Sequence, residues 1–249
     1  MKSVAFYLPV KQDFSVLVTT LKTRFMKQVS VTFMLLAIVF NVCLIASNFF
    51  AAKLMCIGGF VTFSASQIIF PISYIVNDCI CEVYGYRKTL FVIWTGFAMN
   101  LFVVLAAQVV LWLPAAGVWG GQESFSYVFH AAPVATVASL LAFLAGSSVN
   151  ALVMSRMKVA DKGRRFASRA ILSSVVGDIT DSAIFVPILF WSLGLPVILV
   201  TMACEVASKL VYEALLLPFT AKLVRYIKRI DGVDTYDNNI SYNPFLLWR

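Results

Sequence analysis

Six long apolar stretches constrain this chain more than any other feature: roughly residues 31–52, 57–76, 90–113, 131–155, 170–193 and 195–217. Each is close to the ~20 residues that an α-helix needs to cross the hydrocarbon of a bilayer. Lipid offers the backbone no hydrogen-bond partners, so only helices and closed barrels cross it. Barrel strands would be short and alternate apolar with polar residues, and these stretches do neither. Of the 249 residues, 61% are apolar and 13% charged, about half the charged share of a soluble domain. A soluble globular enzyme, a disordered chain and a secreted disulfide scaffold are excluded. The predicted class is an all-α polytopic membrane protein of six transmembrane helices.

The net charge of +8 is explained by where the basic residues stand. Lys2, Lys11, Lys22, Arg24 and Lys27 precede the first stretch, and Arg87 and Lys88 follow the second. Arg156, Lys158, Lys162, Arg164, Arg165 and Arg169 follow the fourth. Lys222, Arg225, Lys228, Arg229 and Arg249 follow the sixth. Only Lys53 and Lys209 lie elsewhere. Six spans with both termini cytoplasmic satisfy the positive-inside rule. Basic charge here labels topology, so no nucleic-acid partner is expected; the lipid bilayer is. Three parts follow: a basic interfacial segment at 1–30, a transmembrane domain at 31–222 and a cytoplasmic tail at 223–249. The first 30 residues hold no cleavable apolar run, because Lys11 and Asp13 interrupt it. Short loops between six helices are compatible with a homodimer.

Cys43, Cys56, Cys79, Cys81 and Cys204 form no C-x-x-C pair and read as small packing residues. His130 is the only histidine. No metal site, cofactor or Ser-His catalytic pair is expected.

Ionised groups inside a span cost about 2.5–3.5 kcal/mol each on insertion scales. Asp178, Asp181, Glu205 and Lys209 all fall inside spans. Left unpaired they would cost on the order of 10–14 kcal/mol together. Such groups face a cavity, pair with one another, or both. Asp178 and Asp181 share a helix face at three-residue spacing, and Gly177 beside them permits a close neighbour. Pro187 loosens the backbone further along. Glu205, Lys209 and Glu213 repeat at four-residue spacing. Lys209 can therefore pair along its own helix or reach across to Asp178 or Asp181. In the second stretch Pro71 predicts a kink, and Tyr74, Asp78 and Glu82 follow one another at single turns. That acidic pair is either part of a substrate site or an interfacial pair with Arg87 and Lys88. Asn41 and Asn48 share a face of the first span, with Asn100 and Asn150 in the third and fourth. Interhelical bonding explains such amides as well as ligand contact does. An acidic pair in the middle helix of each three-helix half suggests a 3+3 inverted repeat.

Three segments carry a family resemblance: NDCICEVYGYRK at 77–88, GDITDSAIF at 177–185 and EVASKLVYEALLLPF at 205–219. Asn48, Lys53 and YDNNISYNPF in the tail add to it. The sequence resembles the queuosine precursor transporters, the YhhQ-like family also labelled vitamin uptake transporters. The resemblance covers nearly the whole chain. It implies uptake of 7-deazaguanine bases across a bacterial inner membrane for tRNA queuosine synthesis. The implied cargoes are 7-cyano-7-deazaguanine, 7-aminomethyl-7-deazaguanine and queuine. By position it points to Asp78, Glu82, Tyr84, Gly85, Asp178, Asp181, Ser182 and Lys209. The chemistry suits such a cargo. A carboxylate accepts from the N1–H and exocyclic amine, an ammonium or amide donates to O6, and aromatic rings cover the flat base. The expected substrate-binding set is Asp178, Asp181, Lys209, Glu205, Asn48, Asp78, Glu82 and Tyr74.

Two rivals differ in class. An intramembrane aspartyl protease needs Y-D on one helix and G-x-G-D on the next, but Val175 stands at the first Gly position and the fourth span has no Y-D. No G-x-x-x-x-G-K-[ST] loop occurs, so this chain does not hydrolyse nucleotide by a P-loop. The remaining alternative is the substrate-binding subunit of a vitamin or nucleobase importer that borrows an external ATPase.

Overall fold

The computed structural model describes residues 29–50, 53–57, 61–129, 133–190 and 194–244. Within them the order is α1 (Val31–Phe50), β1 (Leu54–Ile57), β2 (Val61–Ser64), a 3₁₀ turn (Ala65–Ile68), α2 (Phe70–Tyr84), α3 (Tyr86–Trp112), α4 (Gln122–Phe129), α5 (Pro133–Asp161), α6 (Phe166–Phe190) and α7 (Leu195–Asp231). The helical class holds. Four helices are long and apolar enough to cross a membrane: Val31–Phe50, Tyr86–Trp112, Val137–Asp161 and Phe166–Ile188.

The second stretch departs from the expected single span. β1 and β2 pair antiparallel, with Leu54 opposite Ser64 and Ile57 opposite Val61. The helix begins only at Phe70, and Pro71 sits in its first turn. A proline there lacks an N–H that no helical carbonyl would have used, so it starts the helix instead of kinking it. The resulting α2 has 15 residues, about 22 Å at 1.5 Å per residue, and it lies inside the bundle with every residue from Ser73 to Tyr84 buried.

α7 is the opposite case. It runs for 37 residues without interruption, past position 222 and up to Asp231. Val211, Leu215 and Phe219 face outward, while Lys209 and Glu213 are buried. Apolar residues outside and charges inside is the arrangement that lipid selects. α1 and α3 carry the same outward apolar band, with Leu35, Ile38 and Val42 on one and Phe102, Leu105 and Val109 on the other.

α5 and α6 cross at two glycines. A Cβ on Gly146 would stand 2.9 Å from the Gly177 carbonyl oxygen and from the Asp181 Cβ. A Cβ on Gly177 would stand 2.9 Å from the Asn150 Cβ and 3.0 Å from the Gly146 carbonyl oxygen. Small residues let two backbones meet this closely. The contact sets Asp181 against Gly146 and Asn150 against Gly177, and both polar side chains are buried.

Helix ends gather at one pole of the bundle. Asp231 at the end of α7 accepts from Ser30 and Thr32 at the start of α1, and from the Tyr84 hydroxyl at the end of α2. The chain after α7 then folds back over this pole. The Thr235 amide donates to the Val83 carbonyl at 3.0 Å, and Trp94 Nε1 donates to the Pro244 carbonyl at 2.9 Å.

Candidate functional site

Two charged clusters lie inside the bundle, and α2 belongs to both. The first is built by α2, α5, α6 and α7. Lys209 Nζ donates to Asp181 Oδ2 at 2.7 Å and lies 3.7 Å from Asp178 Oδ1. The lysine thus reaches across from α7 to α6, the second of the two pairings its sequence position allowed. Its ammonium also lies 5.7 Å from the Phe70 ring centre and 6.0 Å from that of Tyr74. Those two rings pack edge to face at 5.4 Å. Ser182 Oγ donates to Glu205 Oε2 at 3.3 Å, and Asn150 Nδ2 donates to Asp78 Oδ1 at 2.9 Å.

A small pocket is lined by Phe70, Pro71, Tyr74, Asp178, Lys209 and Glu213. Asp178 is 2% exposed and Lys209 and Glu213 are each 7% exposed. Water is therefore largely absent, and each charge depends on protein partners. Two carboxyl oxygens on this pocket, Asp178 Oδ1 and Glu213 Oε1, accept no hydrogen bond, although Lys209 stands 3.7 Å from the first and the Ser174 hydroxyl lies beside the Glu213 carboxyl. Buried polar atoms without partners are rare in folded proteins, because leaving one unmade costs about 1–3 kcal/mol. The pocket therefore presents acceptors and an ammonium against an aromatic wall. Chemically this lining complements a flat group that has donors on one edge and an acceptor on another. Prolines flank the site on both long helices. Pro187 in α6 and Pro218 in α7 leave the carbonyls of Ala183 and Ala214 without their helical partners.

The second cluster is at the pole. Glu82 is buried and accepts from Arg169 Nη2 at 2.7 Å and from Lys228 Nζ at 2.6 Å. Lys158 Nζ donates to Asp234 at 2.5 Å, to the Thr235 carbonyl at 2.7 Å and to the Glu82 carbonyl. Arg169 Nη1 also meets Asp161 at 2.7 Å. Burial alone would raise the Asp234 carboxyl, but hydrogen bonds from Lys158 and Lys228 hold it below the ordinary carboxylate range. Three residues further along the chain, Asp237 accepts from the Tyr86 amide at 2.8 Å and from Ser155 Oγ at 2.5 Å. Gly85 joins α2 to α3 at φ +86°, and a Cβ there would stand 2.8 Å from Asp237 Oδ1. The Glu82, Tyr84 and Gly85 of the sequence motif are thus the seat of the C-terminal segment.

The eight residues expected to bind substrate separate accordingly. Asp178, Asp181, Lys209, Glu205 and Tyr74 come together, and Asp78 adjoins them through Asn150 on the deep side. Glu82 does not join them. It lies one turn further along α2 in the polar network, paired with Arg169, Lys158 and Lys228 and with neither Arg87 nor Lys88. Asn48 also stands apart, donating to Asn100 Oδ1 at 2.7 Å. Residues 1–28 and His130 lie outside the described residues.

Three pocket residues were absent from the expected set: Phe70, Pro71 and Glu213. The four-residue spacing of Glu205, Lys209 and Glu213 could have found Glu213, since it fixes one face of α7. Phe70 was hidden by reading its helix as longer than it is.

No curated protein and no solved structure matches this chain. A family model described as "Putative vitamin uptake transporter" matches residues 64–223, a region that holds α2 through most of α7 and every residue lining the pocket. That family is the one the sequence motifs pointed to. With several apolar helices long enough to span lipid around a buried charged pocket, the chain is a multi-pass membrane protein and belongs to the vitamin uptake transporter family.

Proposed function

We propose that this protein imports queuosine precursors, 7-deazaguanine bases such as 7-cyano-7-deazaguanine, 7-aminomethyl-7-deazaguanine or queuine, across a bacterial inner membrane. In this reading the chain spans six times with both termini cytoplasmic, α2 serving as a short, broken second span. The gathering of the start of α1 with the ends of α2 and α7 at one basic pole supports that alternation. The protein would supply tRNA queuosine modification.

One observation carries the choice of cargo. Asp178 presents an unbonded carboxylate oxygen beside the Lys209 ammonium, and both face the Phe70–Tyr74 wall. A 7-deazaguanine offers two adjacent donors, N1–H and the exocyclic amine, to a carboxylate. Its O6 lies next to them and accepts from an ammonium. Its ring stacks on an aromatic surface.

Uptake by purified protein in liposomes tests the proposal, with each deazaguanine supplied in turn. The wild type is expected to accumulate at least one of them without added ATPase subunits. D178N, which keeps the shape but removes the paired acceptors, is expected to lose at least about tenfold in affinity. Absence of uptake for every deazaguanine overturns the function. Uptake that appears only when ATPase subunits are added favours the importer-subunit alternative.

A further inference from the structure

The pocket gathers more acidic groups than basic ones, and Lys209, the basic residue that lines it, is already committed to Asp181. Facing the site are Asp78 and Tyr74 from α2, Asn150 from α5, Asp178 and Asp181 from α6, and Glu205, Lys209 and Glu213 from α7. Lys209 is bonded to Asp181 and lies near Asp178. Asp78 is satisfied in part by the Asn150 amide, and Glu205 by Ser182. Among the described residues, the buried Lys158 and Arg169 and the half-buried Lys228 belong to the pole. Lys228 is fifteen residues from Glu213 along α7, about 22 Å at the helical rise. Of the two acids that line the pocket, Asp178 has Lys209 at 3.7 Å and Glu213 has no cation within ion-pair distance among the described residues. It is 7% exposed and lines the cavity, and although the Ser174 hydroxyl stands beside its carboxyl, its Oε1 accepts no hydrogen bond. Asp78 and Asp178 both repel it.

We infer that Glu213 is the anchor for a positively charged group on the cargo, so that the pocket selects an alkylammonium-bearing base over a neutral one. The inference rests on the deazaguanine reading only for the identity of the ring. Within that set it names 7-aminomethyl-7-deazaguanine, whose ammonium stands at one corner of the base, over 7-cyano-7-deazaguanine, which is neutral there. The base would lie against Phe70 and Tyr74 with its donor edge on Asp178, and the aminomethyl arm would extend along α7 towards Glu213. A buried carboxyl without a cation gains a charge-assisted hydrogen bond from such an arm, whose ammonium also holds it ionised.

The test measures binding of the two deazaguanines to purified full-length protein by calorimetry at pH 7, and reads the ratio of their dissociation constants. The wild type is expected to bind the aminomethyl base at least about tenfold more tightly. E213Q is expected to bring that ratio near one, while E213D, which keeps the charge, retains most of it. Equal affinities in the wild type overturn the inference, as does an unchanged ratio in folded E213Q. If neither base binds, the proposed function fails, and benzylamine against benzyl alcohol then reads the charge preference alone. A wild-type preference for benzylamine that E213Q removes supports the Glu213 anchor independently of the cargo, and no preference overturns it.

Discussion

Asp178 and Asp181 are one turn apart on the same helix, yet their partners give them different work. Asp181 takes the close hydrogen bond from Lys209 at 2.7 Å, and Asp178 Oδ1 forms a looser ion pair with the same ammonium at 3.7 Å and accepts no hydrogen bond. Asp181 and Lys209 are thus a buried pair in which each member compensates the other. Removing one partner of such a pair strands a charge and costs about 3–5 kcal/mol, whereas replacing both together is far less harmful. D181N and K209M are each expected to lower thermal stability in detergent sharply, and the double variant is expected to recover much of the loss. A double variant destabilised by the sum of the two singles would show that the residues act independently. D178N is expected to leave the unfolding temperature near that of the wild type, because it removes no close partner of Lys209.

At the scale of elements, the pocket depends on how closely α5 approaches α6. The Gly146–Gly177 crossing leaves no room for side chains, since a Cβ at either position meets backbone or Cβ atoms at 2.9–3.0 Å. G177V is expected to push the helices apart, to cost about 1–3 kcal/mol, and to weaken cargo binding because Asp178 and Asp181 move with α6. Wild-type stability and binding in G177V would mean that the crossing tolerates bulk. Gly177 was legible in the sequence, because a glycine beside buried acids in an apolar stretch signals close packing. The buried acids were legible too, since hydropathy makes any charge inside a span conspicuous. The hairpin was not. Residues 54–64 are as apolar as a helix, and a window that averages hydropathy cannot see that Gly58 and Gly59 interrupt them. Pro71 misled for a related reason: its meaning depends on whether it stands inside a helix or at its start, and only the hairpin decides that. The separation of Asp78 from Glu82 was equally hidden. One turn of helix puts both on one face, but the partners that divide them, Asn150 and Arg169, come from elements far away in the chain.

Across the whole molecule, α2 links the pocket to the pole. Asp78 adjoins the pocket, and one turn later Glu82 is held by Arg169 and Lys228, with Lys158 3.8 Å away. The segment after α7 closes over this network. Its Asp234 binds Lys158 at 2.5 Å and Lys228 at 2.9 Å, and the Thr235 amide binds the Val83 carbonyl. A transporter that releases cargo at this pole must open it, so the docking strength of the segment bears on access to the pocket. That strength depends on pH in a definite direction. The docked Asp234 carboxyl is held below its ordinary value, which the released segment would regain. Such a group contributes fully to docking above the ordinary carboxylate value near 3.8. Its contribution is lost as pH falls through that value and on to the docked one, because the released form takes up its proton first. Asp231 behaves in the same sense, as burial raises it but hydrogen bonds from Ser30, Tyr84 and Thr32 lower it further. Hydrogen exchange at the Thr235 amide, corrected for the intrinsic rate at each pH, reads the docking directly. Protection is expected to hold from neutrality to about pH 5 and to fall steeply below about pH 4. D234N is expected to speed exchange at neutral pH and to flatten the acid response. Protection that stays constant down to pH 3 in the wild type, or that D234N leaves untouched, would show that Lys158 and Lys228 do not hold the segment in place.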